Sequence, residues 1–156
     1  MKIGSLSAFA LFCSVWAATA QADALTVSGA WVREGPPTTQ VLAGYAQIAN
    51  PGTQDITIVG ARSPQFDTVE IHRTEIVEGM ARMIAQPELV IPAGGSVSLE
   101  PGGLHLMLIQ AQNPLASGDH VEIQLQLNNG TQLRVDAEVR PDPDAGAGMD
   151  HSHHHH

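Results

Sequence analysis

An antiparallel all-β sandwich or barrel is the fold this sequence predicts, and three observations predict it. Short segments rich in Val, Ile, Leu and Thr alternate with Gly, Pro and Asn punctuation along most of the chain. Residues 121–127, Val-Glu-Ile-Gln-Leu-Gln-Leu, alternate apolar and polar side chains at period two, as a half-buried strand does. No segment sustains a helical period. The 156 residues, 43% of them hydrophobic, suit one domain with a real core. Aromatic residues are only 4%, so aliphatic side chains must fill that core.

The elements follow in chain order. Residues 1–22 read as a cleaved secretory signal peptide: Lys2 supplies a positive start, residues 3–18 are mostly apolar and uncharged, and Ala-Gln-Ala (20–22) offers a small-residue cleavage site. The apolar run is short for a membrane anchor, and without a twin arginine the general secretory route is expected. Strands are predicted over 25–34, 41–49, 55–61, 68–74, 80–85, 96–99, 105–111, 121–127 and 132–139. Gly35-Pro36-Pro37, Asn50-Pro51-Gly52, Pro92-Ala93-Gly94-Gly95 and Pro101-Gly102-Gly103 divide them. Asn128-Asn129-Gly130 is a hairpin signal, since Asn-Gly tolerates the positive φ of tight turns. The folded domain is thus expected over 23–139. Residues 140–156, opening on Arg140-Pro-Asp-Pro-Asp-Ala-Gly, cannot bury apolar surface and are expected to form a flexible tail.

Charge and cysteine content exclude several functions. The formal charge is −9, and loss of Lys2 with the leader makes the mature chain more acidic still. Such a surface repels phosphate backbones and anionic lipid, which excludes nucleic acid and stable membrane association. It attracts cations. The single cysteine, Cys13, lies inside the leader with Phe12 before it, where a lipoprotein signal expects a small residue. The mature chain therefore has no disulfide, no thiol nucleophile and no thiolate metal ligand. Blue-copper electron transfer, which needs such a thiolate, is excluded with it. No nucleophile-elbow serine and no acid/base carboxylate pair is apparent, so an enzyme is not expected.

The remaining chemistry lies in methionine and histidine. In the predicted strand over 105–111, Leu104, Leu106 and Leu108 share one face and His105 and Met107 the other, about 7 Å apart. The same parity sets Val69 and Ile71 against Glu70 and His72. Imidazole with thioether, lacking thiolate or clustered carboxylates, suits copper, especially soft Cu(I). Zinc would prefer cysteine or more histidine, and calcium would need oxygen donors. The alternative is that the methionines fill core gaps and the histidines are ordinary surface residues. His120, after Gly118-Asp119, reads as a solvated turn residue.

The spacing His72-x10-Met83-x21-His105-x-Met107 resembles the signature of the periplasmic PCu(A)C copper chaperones. Its surroundings are similar too: Ser63-Pro64, Val69-Glu70-Ile71-His72, Gly79-Met80, Pro92-Ala93-Gly94-Gly95, and 101–108. The resemblance implies a cupredoxin-like Greek-key β-sandwich or barrel that binds Cu(I) through His72, Met83, His105 and Met107. It also implies delivery of copper to the dinuclear centre of cytochrome c oxidase, with oxidase subunit II and other copper-assembly factors as partners of a monomer. A periplasmic copper buffer or resistance protein with no dedicated recipient would use the same ligands. Met80 lies an odd number of residues from Met83 and faces away from it in a regular strand, though a bulge would change that.

Two readings fit the end of the chain. Met149, His151, His153, His154, His155 and His156 resemble the His/Met-rich extensions of that family, which implies a second site for Cu(II). They also fit a purification tag, although Ser152 interrupts the histidine run.

Overall fold

The computed structural model describes residues 25–142. The proposed leader and the candidate Cu(II) residues Met149, His151 and His153–His156 lie outside the described residues. Ten strands make up the domain: β1 (Thr26–Arg33), β2 (Val41–Ala49), β3 (Ile56–Arg62), β4 (Phe66–Val77), β5 (Met80–Ala85), β6 (Leu89–Ile91), β7 (Ser96–Leu99), β8 (Leu104–Ala111), β9 (His120–Leu127) and β10 (Gln132–Arg140). No helix forms among the described residues, so the predicted all-β class holds.

The strands lie in the order β5-β4-β8-β7-β2-β1-β10-β9-β3-β6, and β3 returns to pair with β4 through Ala61 and Val69. That last pairing closes a barrel, with β5 and β6 attached outside the ring. Most ladders are antiparallel, as expected, but β1–β10 and β7–β8 are parallel. The core is aliphatic: Val32, Ile48, Ile58, Ile91, Leu108, Val121 and Val139 are among its most deeply buried members. β9 buries Val121, Ile123, Leu125 and Leu127 and leaves the residues between them more exposed, the predicted alternation.

Several boundaries differ from the sequence reading. β6 was not predicted. It is a three-residue strand paired with the outer edge of β3, Ile56 opposite Ile91 and Ile58 opposite Leu89. β4 extends beyond the predicted 68–74 at both ends, and its C-terminal part forms a hairpin with β5. β10 runs one residue further than expected, to Arg140, whose carbonyl accepts a hydrogen bond from the Glu34 amide. His120 is the first residue of β9 and not a turn residue; its Nδ1 lies 2.8 Å from Asp136 Oδ2, and both side chains are exposed. In the β9–β10 loop only Gly130 takes positive φ, so the turn is longer than a two-residue Asn-Gly hairpin.

Candidate metal centre

The four candidate ligands come from three adjacent strands, and the register decides whether they can meet. In β8 the buried Leu104, Leu106 and Leu108 alternate with His105 and Met107, so the two candidates turn away from the core as their parity requires. Across the β4–β8 ladder His72 pairs with His105, and Glu70 with Met107. Across β4–β5, Thr74 pairs with Met83. Directly opposed residues project on the same side of a sheet, as do alternate residues along a strand. His72, Met83, His105 and Met107 therefore share one face. Met80 pairs with Val77 and projects from the other.

The two imidazoles are the centre of this face. Their ring centroids are 6.1 Å apart and the planes are inclined at 44°. Each ring is held by one nitrogen only. His105 Nδ1 lies 3.1 Å from the Gly103 carbonyl oxygen. A carbonyl only accepts, so Nδ1 carries the proton and Nε2 keeps its lone pair. His72 Nε2 lies 2.8 Å from Glu70 Oε2. An ionised carboxylate likewise accepts, leaving the lone pair on His72 Nδ1. His72 Nδ1 and His105 Nε2 are both buried and have no hydrogen-bond partner. A buried acceptor without a partner costs about 1–3 kcal/mol, so this pair fits a cation that would take both lone pairs. Fixing a metal-binding imidazole through its second nitrogen is how proteins orient such ligands.

The site is graded from inside to outside. Although His105 lies on the face opposite the leucines, it is only 4% exposed. It is set in the barrel wall, with β4 beside it and the β2 strand pairing along β8 as far as Gly44 opposite Leu106. His72 and Met107 are half-buried, whereas Met83 is 59% exposed on the outer strand β5. A metal held here would be screened by the barrel on one side and reached through Met83 on the other. Among the described residues no three His, Cys, Asp or Glu side chains form a metal-holding group. Any soft-metal site on this face thus depends on thioether sulfur.

The sequence reading did not identify the two groups that orient the rings. For Glu70 a signal existed, because the parity that sets it with His72 also puts its carboxylate within reach. For the Gly103 carbonyl there was none beyond the Pro-Gly-Gly turn. An aromatic cluster on neighbouring strands also went unforeseen. Trp31 and Tyr45 have ring centroids 4.7 Å apart, the Arg33 guanidinium carbon lies 5.3 Å from the Tyr45 centroid, and Arg33 Nε lies 3.3 Å from Asp142.

Barrel and face together define a small all-β domain presenting an imidazole–thioether cluster. The chain belongs to the family described as putative lipoprotein LpqE-like, whose model matches residues 25–139. A putative lipoprotein of Leifsonia xyli subsp. xyli is 32% identical over 112 residues, 71% of this chain and 66% of the relative. An uncharacterised protein of Rickettsia prowazekii is 27% identical over 98 residues, 62% of this chain and 54% of that one. The chain thus spans somewhat under two thirds of the first curated relative and about half of the second. Among solved structures, the solution structure of the Cu(I) form of DR1885 from Deinococcus radiodurans matches with a TM-score of 0.65 and 37% identity, covering 81% of this chain and 85% of that one. The copper-bound PCuAC domain of PmoF2 matches with a TM-score of 0.64 at 19% identity, covering 76% and 93%, a likeness of fold. The resemblance to PCu(A)C domains read from the sequence is borne out.

Proposed function

We propose that this protein is an exported copper chaperone that holds Cu(I) through His72 Nδ1, His105 Nε2 and the sulfurs of Met83 and Met107. One observation carries the reading. Two buried imidazole nitrogens with free lone pairs share a strand face with two methionines. Two neutral nitrogens and two thioethers are a donor set for a soft monovalent ion. The 37% identical DR1885, solved with Cu(I), supports the choice of metal.

Copper is the cargo, and release is as important as capture. Without thiolate the site binds Cu(I) less tenaciously than a cysteine pair would. Met83 on the open side is the donor that a partner's ligand displaces first. An incoming cysteine or histidine then shares the ion before His105 lets go, and the recipient's higher affinity drives the transfer without nucleotide. The recipient in this reading is the dinuclear copper centre of cytochrome c oxidase subunit II, and the location is the periplasm. The lipoprotein names of the family and of one relative support export. Residues 149–156 would form a separate Cu(II) site.

Two measurements test the proposal. Replacing Met83 and Met107 together with leucine should weaken Cu(I) by more than about tenfold in competition with a chelator and leave the fold intact; unchanged affinity removes the ligand assignment. Mixing Cu(I)-loaded protein with the apo copper domain of subunit II should load the recipient faster than copper escapes into a chelator. Loading at the spontaneous release rate would instead make the protein a copper buffer.

A further inference from the structure

We infer that Met83 is an oxidation switch: two-electron oxidants of the peroxide or hypochlorous acid class convert its thioether to the sulfoxide and close the site to Cu(I). The inference rests on the reading of Met83 as a ligand, and it adds regulation to that site.

Position makes Met83 vulnerable. β5 is an outermost strand in the sheet order, and all six of its residues are exposed. Met83 is 59% exposed, whereas Met107 lies on β8, between β4 and β2, and is half-buried. The donor that opens the site to a partner is therefore also the one that meets oxidants first. Met80 supplies an internal comparison. It is 56% exposed on the same strand, but it pairs with Val77 and projects from the opposite face.

The chemistry balances simply. A sulfur lone pair attacks one oxygen of hydrogen peroxide, an S–O bond forms, the O–O bond breaks, and the departing hydroxide takes the proton from the sulfur-bound hydroxyl, leaving water and the sulfoxide. Sulfur loses two electrons and peroxide gains them. With hypochlorous acid the O–Cl bond breaks and chloride leaves. The product is polar and presents a hard oxygen where Cu(I) needs a soft donor. Thiol-dependent methionine sulfoxide reductases, one for each epimer, reverse the change. A bound Cu(I) takes one of the two sulfur lone pairs and makes the other less nucleophilic, so the empty protein is the more sensitive form.

Limiting hydrogen peroxide on the apo protein, followed by residue-resolved mass spectrometry, tests this. Met83 and Met80 should gain oxygen at comparable rates and Met107 should lag. Ag(I), a redox-inert soft ion used in place of Cu(I), should protect Met83 and leave Met80 reactive. The oxidised protein should lose Cu(I) affinity by about tenfold or more, the scale of a disrupted metal-site contact, and regain it after treatment with both reductases. Met80→Leu should show the same loss on oxidation, while Met83→Leu, already weakened, should change little further. Two results overturn the inference alone: full affinity with Met83 oxidised although Met83→Leu is weak, or Met83 oxidising no faster than Met107. If Met83→Leu itself binds Cu(I) normally, the ligand assignment fails first.

Discussion

His105 can offer a metal only Nε2, because the Gly103 carbonyl holds the proton on Nδ1, and Glu70 makes the same choice for His72 at the other nitrogen. Glu70→Gln tests whether that choice matters. A neutral amide polarises the ring less and, turned over, donates to Nε2 and moves the proton onto Nδ1, the nitrogen proposed to hold the metal. Cu(I) affinity should fall about 10-fold or more, read by chelator competition. The melting temperature should hardly move, since the Glu70 side chain is exposed and such pairs contribute about 0–1 kcal/mol. Tyr45 makes a separate, titratable prediction. Burial pushes its hydroxyl above the ordinary phenol value, Arg33 pulls it partly back, and Asp142 adds to the rise. The folded state therefore keeps a proton that the unfolded chain gives up at about pH 10. Its contribution to stability is complete below that pH and is lost as pH rises through the folded value. Urea midpoints of the wild type should drop more steeply than those of Tyr45→Phe above pH 10.

At the scale of elements, the β4–β5 hairpin positions Met83, and its turn decides how firmly. Glu78 and Gly79 take φ values of 52° and 78° between the paired Val77 and Met80, a two-residue turn of the I′ type. A Cβ at Gly79 would meet no atom within 4 Å, so any cost of Gly79→Ala is backbone strain alone. It should be about 1 kcal/mol in urea denaturation. Glu78→Asn should act in the opposite direction, by about 0.5 kcal/mol, because Asn tolerates positive φ. This hairpin also shows why strand limits were only partly legible. The predicted strand ended at Thr74 although β4 continues to Val77. Beyond the barrel neither face is covered, Glu75 and Ile76 are exposed, and no alternation of polarity exists to be read. β6 escaped for a different reason: its three residues, within the four that separate Pro87 from Pro92, are too few to display a period, and only pairing with β3 makes them a strand.

Over the whole molecule, the barrel wall is the support on which the site is built. Leu108 is completely buried beneath Met107, and its Cδ1 would lie 3.1 Å from a Cβ at Gly44. Leu108→Ala should cost about 2–5 kcal/mol, measured as a lower urea midpoint. The protein that remains folded should bind Cu(I) less tightly, because the strand carrying His105 and Met107 loses its packing. Closure through the single Ala61–Val69 pairing keeps β4 against β8 on one side and β3 on the other.

Period two alone determined which residues share a face. Covalent geometry alternates the side chains of any strand, so Leu104, Leu106 and Leu108 had to oppose His105 and Met107, and Ile71 had to oppose His72. The lack of helical period likewise settled the all-β class, and the fixed spacings of His72, Met83, His105 and Met107 were enough to reveal the family. What the strands do to one another is not local. The pairing of His72 with His105, residues far apart in the chain, depends on ladder hydrogen bonds and on the simultaneous burial of Val69 and Ile71 on β4 and of Leu104, Leu106 and Leu108 on β8. So do the 6.1 Å between their rings, the burial of His105, and the choice of nitrogen left free on each. Those quantities arise only when the sheet closes, because burial and register are properties of the assembled barrel and not of any strand within it.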